Sequence, residues 1–88
     1  MAKFFERFED RHPSVTGVLR FLEFEHLGNP AAHALSREFA RLAELLLEVL
    51  PDDPELSATL RKLREAKDCA VGLVAVVDKS RVEKDSDA

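Results

Sequence analysis

Apolar residues recur along this chain at helical spacing, and breaker residues divide them into segments. Over residues 2–11, Phe4, Phe5 and Phe8 fall on one side, with Glu6, Arg7, Glu9, Asp10 and Arg11 largely on the other. This predicts an amphipathic helix of about ten residues docked on the rest of the molecule. His12-Pro13-Ser14 interrupts the pattern, and Pro13 or Ser14 suits the start of a second short helix. Val15, Val18, Leu19 and Leu22 continue at helical spacing, and the run RFLEFEHL from Arg20 reads as a helix end passing into an ordered loop.

Leu27-Gly28-Asn29-Pro30 is the strongest punctuation in the chain: glycine ends one element, asparagine caps the next, and proline takes its first position. From Ala31 to Leu50, Leu35, Phe39, Leu42, Leu46 and Val49 recur at alternating spacings of four and three. This is a coiled-coil-like seam. Pro51-Asp52-Asp53-Pro54-Glu55 stops that helix and starts another, with Asp53 as cap and Pro54 at the first position. A turn this short forces an antiparallel hairpin.

In the second arm, Leu56, Leu60, Leu63, Ala70 and Val74 share a face, and Lys67 interrupts them. The hairpin register places Glu38 level with Lys67, so an ion pair between them is expected. Leu45, Leu47, Val71, Leu73 and Val76 fall off the seam, and apolar surface of that kind marks an interface. The predicted fold is all-α: a long antiparallel hairpin over 30–77, one or two short N-terminal helices, and a disordered charged tail. Residues 1–78 form a single domain and residues 79–88 the tail.

Composition narrows the function. Eighty-eight residues bury only about 60% of the surface of the unfolded chain, so a partner surface would help. The net charge of −4 argues against duplex DNA as a partner. The longest apolar run, Val71 to Val77, is too short to span a bilayer, and the opening MAKFFERFEDR is too charged for a signal peptide. A cytoplasmic protein without a membrane partner is expected. The single cysteine, Cys69, excludes an internal disulfide.

Candidate chemistry centres on the second arm. Arg61, Lys62, Arg64 and Lys67 place four cations within seven residues. Exposed, they would pair along the helix, Arg61 with Glu65 and Arg64 with Asp68. Gathered at a symmetric interface, the arginine forks would suit phosphate oxygens. The histidines are His12, His26 and His33; Glu25, His26 and His33 could supply metal ligands, but their spacing matches no zinc pattern, and His26 suits a hydrogen-bonding anchor for the loop before the hairpin. No nucleophile–base arrangement, paired catalytic carboxylates or phosphate-cradling glycine loop is visible, so neither an enzyme nor a cofactor is expected.

The runs EHL (Glu25 to Leu27), SREFARLAELLLEVLPDDPE (Ser36 to Glu55) and LRKLREAKDCAV (Leu60 to Val71) resemble a family of small bacteriophage hairpin-domain proteins. These are related to the anti-CBASS and Thoeris anti-defence sponges. The resemblance covers a little over half the chain. It implies a homo-oligomer that sequesters a cyclic oligonucleotide or cyclic ADP-ribose-type immune signal without cleaving it, in the cytoplasm of an infected bacterium. Arg61, Arg64, Lys67 and His26 would then be the ligand-binding residues. The alternative is a small interaction module that binds a host or phage protein through its exposed apolar face.

Overall fold

The computed structural model describes residues 4–87, and the side chains of residues 4–77. All of its regular elements are helical: α1 (Pro13–Leu19), α2 (Pro30–Val49) and α3 (Pro54–Asp87), preceded by one 3-10 turn at Glu6–Phe8. No strand occurs among the described residues. The expected amphipathic helix is thus reduced to a single turn; its residues 2 and 3 lie outside the described residues. The expectation of a disordered tail over 79–88 falls on side chains that also lie outside them, and the backbone of α3 runs on to Asp87.

Capping explains where the helices begin. Asn29 Oδ1 accepts the Ala32 amide at 3.0 Å, and Asp53 Oδ1 accepts the Glu55 amide at 2.9 Å. Both caps are followed by proline at the first helical position, as the punctuation requires. At α1 the cap is His12, whose Nδ1 accepts the Ser14 amide at 3.1 Å. Residues 50–53 connect the hairpin arms.

The packed face of α2 differs from the expected seam. Ala32, Ser36, Ala40, Ala43 and Leu47 are its buried residues, whereas Leu42 is 45% exposed and Val49 66%. Leu35, Phe39 and Leu46 are half-buried at the margin. Small side chains at spacings of four and three let α2 approach its neighbours closely, so the leucine stripe turns partly outward. Leu47, expected off the seam, is core.

The N-terminal residues form a layer over one side of the hairpin. Phe5, Phe8, Val15, Val18, Leu19, Leu22 and Phe24 join Leu56 and Leu60 in one core cluster. Polar ties fix the layer to the turn end of α2. Arg7 pairs with Glu44 at 3.1 Å and with Glu48. Arg11 pairs with Asp52 at 2.6 Å and donates to the carbonyls of Leu47 and Leu50 at 2.7 and 2.9 Å. A guanidinium on the last carbonyls of α2 satisfies acceptors that the helix leaves open and complements its negative end. At 100° per residue, exposed Leu42, Leu45 and Val49 lie on the arc of α2 opposite its buried residues, and exposed Leu73 and Val76 on the arc of α3 opposite Leu56, Leu60 and Lys67; these arcs make the uncovered side of the hairpin.

Candidate functional site

The four residues expected to bind ligand do not converge. Lys67 is only 7% exposed and points into the protein. Its Nζ donates to the carbonyl of Phe21 at 2.7 Å and to that of Glu23 at 3.1 Å. The expected ion pair with Glu38 does not form: Glu38 pairs with Arg41 at 3.4 Å, one turn along its own helix. Burial pushes the Lys67 ammonium below the ordinary lysine range, and Arg64 adds to this; Asp68 and Glu23 oppose it. Two carbonyl acceptors compensate a charge brought out of water, so Lys67 anchors residues 20–29 to α3.

Arg64 lies beside that anchor. Its guanidinium sits 3.6 Å from the centroid of Phe21 and 3.7 Å from Asp68. The pairing with Asp68 is the one expected from the spacing, while the stacking on Phe21 is added by the fold. Arg20 approaches the same ring at 4.9 Å, so Phe21 is flanked by cation–π contacts. Lys67 and Arg64 are therefore neighbours, jointly engaged with one loop.

Arg61 stands apart, nearer the hairpin turn. It forms no ion pair among the described residues, and the expected one with Glu65 is not present. It borders an open cavity of about 400 Å³ whose other walls include His12, Ser14, Asp53 and Ser57. Ser14 Oγ is 2.9 Å from His12 Nδ1 and 2.9 Å from Ser57 Oγ. Asp52, also at the cavity, is held below the usual carboxylate range by the His12 backbone amide and by Arg11. His26 is exposed in the loop, and its side chain makes no hydrogen bond among the described residues. The loop is anchored by Lys67 and by Phe24, whose ring meets Phe4 and His33 at 5.3 and 5.1 Å.

Two further features carry weight. On the uncovered side of the hairpin, Leu45, Leu73 and Val76 are 53%, 63% and 59% exposed. Beside the turn there is a groove of about 260 Å³ with Leu50, Pro51, Leu56 and Thr59 among its walls. The exposed leucines at 45 and 73 were legible from their position off the seam; the groove depends on the path of the turn and has no sequence signature. Among the described residues there is no group of histidine, cysteine and acidic side chains able to hold a metal, and no helix long and apolar enough to cross a membrane. Comparison with family models, curated proteins and solved structures finds no match for this chain.

Proposed function

We propose that this chain is a helical protein-interaction module whose working surface is the uncovered side of the hairpin. The observation that carries this reading is the set of large apolar side chains left in water there, at Leu42, Leu45, Val49, Leu73 and Val76, between 45% and 66% exposed. Large apolar side chains left exposed on a small chain mark a binding surface; here they form two clusters, Leu42, Leu45 and Val49 toward the turn and Leu73 and Val76 at the far end of the hairpin, and Leu42 and Leu45 share a hollow with Glu38, Arg41, Glu44 and Glu48. The test is cross-linking of the protein in cells followed by mapping of the linked peptides. Links from Lys62 to protein, lost in Leu45→Asp, support the reading; links that survive Leu45→Asp contradict it.

A second reading is sequestration of a cyclic nucleotide-type signal by a phage counter-defence protein. One observation favours it: Arg61, without an ion pair, borders a hollow that also presents the Ser14 hydroxyl and the His12 ring. The Asp53 carboxylate opposes it, and Lys67 and Arg64 are engaged within the chain. Calorimetry against a cyclic dinucleotide and cyclic ADP-ribose panel tests it: binding abolished by Arg61→Ala supports sequestration, and an empty titration contradicts it.

A further inference from the structure

We infer that the uncovered side of the hairpin binds a second copy of this chain turned end for end, about a two-fold axis passing level with Ala40; this rests on the interaction-module reading.

The exposed apolar side chains sit at opposite ends of the two arms. On α2 they are Leu42, Leu45 and Val49, toward the turn; on α3 they are Leu73, Val76 and Val77, away from it. With residues 50–53 as the turn, positions whose numbers sum to about 103 lie level in an antiparallel pair. Opposite Leu45 and Val49, α3 therefore offers Ala58 and Pro54, neither of them a large apolar side chain, and Val76 and Val77 reach past the start of α2. Among the described residues no element covers them. A copy reversed end for end brings the apolar end of its α3 to the turn, where the groove beside Leu50, Pro51 and Leu56 is open. The exchange is reciprocal, as a two-fold interface requires.

Charge selects the same direction. α2 exposes Glu38 and Arg41 one turn apart, and α3 exposes Lys62 and Glu65 one turn apart. The midpoints of these two pairs are level with each other. An axis perpendicular to the helices at that level places α2 against α2 and α3 against α3. Glu38 then meets the partner's Arg41, and Lys62 meets the partner's Glu65, each twice. A copy pointing the same way would instead pack α2 on α3, setting Glu38 against the partner's Glu65 and Arg41 against the partner's Lys62. Like charges directly opposed disfavour that arrangement and specify the register.

Two measurements test the inference. In sedimentation equilibrium, Arg41→Glu is expected to raise the dimer dissociation constant at least tenfold. The double exchange Glu38→Arg with Arg41→Glu restores it, and far-UV circular dichroism stays unchanged because both residues are on the surface. Oxidation of Thr59→Cys is expected to give a disulfide-linked dimer through the native Cys69, which the end-for-end axis brings level with residue 59 of the other copy. Leu35→Cys should not cross-link. Efficient cross-linking of Leu35→Cys with none from Thr59→Cys, or tighter association in Arg41→Glu, would overturn the reversed geometry while leaving the interaction module standing. A chain that stays monomeric yet loses a protein cross-link in Leu45→Asp would overturn the second copy as partner and again spare the module.

Discussion

Lys67 donates to the carbonyl of Phe21 at 2.7 Å, a contact across 46 residues of sequence that fixes the loop before the hairpin onto the middle of α3. Lys67→Ala leaves two carbonyls unsatisfied and removes a packed stem, an expected loss of about 3 kcal/mol. Lys67→Met retains the stem and is expected to lose about 1–2 kcal/mol. Urea denaturation measures both. The pH dependence has a definite sign. Burial depresses the ammonium, so in the window between its folded value and the ordinary lysine range the unfolded chain holds more protons. Stability contributed at this site therefore rises with pH through that window, and Lys67→Met removes the rise.

Arg11 closes the other end of the N-terminal layer, on Asp52 and two carbonyls of the α2 terminus. Arg11→Met is expected to cost about 2 kcal/mol, measured by thermal or urea unfolding, through the lost capping and hydrogen bonds. Asp52 is held low by the His12 amide and Arg11, so its contribution is present above the ordinary carboxylate range and is lost as pH falls through its folded value. Asp52→Asn should flatten the acid side of the stability profile. An unchanged acid limb would show that Asp52 contributes nothing there.

Ser36 is fully buried on α2, and its hydroxyl has no hydrogen-bond partner. Ser36→Ala removes that unsatisfied group at almost constant shape and is expected to stabilise the fold by about 1 kcal/mol. A loss of stability would mean that the hydroxyl makes a bond in solution.

The face of α2 can be tested directly. Ala40 is fully buried, so Ala40→Leu should destabilise the monomer by about 2–3 kcal/mol through overpacking. Leu42→Gln, on the outward stripe, should change it by no more than about 0.5 kcal/mol. The reverse ranking by chemical denaturation would restore the leucine seam as the intramolecular face.

Those contrasts show what could be read from the chain. The hairpin and the starts of its two helices were legible because Asn29-Pro30 and Asp53-Pro54 act locally: cap and proline choose a helix start whatever surrounds them, whereas the end of α3, expected at 77 and found at Asp87, has no such signal. The packing face was not. The apolar arc of α2 is wide enough to hold both an alanine stripe and a leucine stripe, and leucine dominates any periodicity by size. Close approach through Ala40 and Ala43 depends on the neighbouring helices, which no local pattern describes. Lys67 stood out as a charge among apolar residues, but its partners are backbone carbonyls, which carry no residue signature; a carboxylate at the right level drew the ion pair to Glu38 instead. Arg11 on Asp52 is likewise a long-range contact between two ordinary charged positions.

The most direct measurement is solution mass by sedimentation equilibrium for the wild-type chain and for Leu45→Asp. Two chains of 9.9 kDa give a dimer of about 20 kDa. The expected result is that mass for the wild type, falling to 9.9 kDa in Leu45→Asp with helicity intact. A wild-type mass of 9.9 kDa at every concentration, or a dimer indifferent to Leu45→Asp, would contradict self-association through the uncovered side of the hairpin.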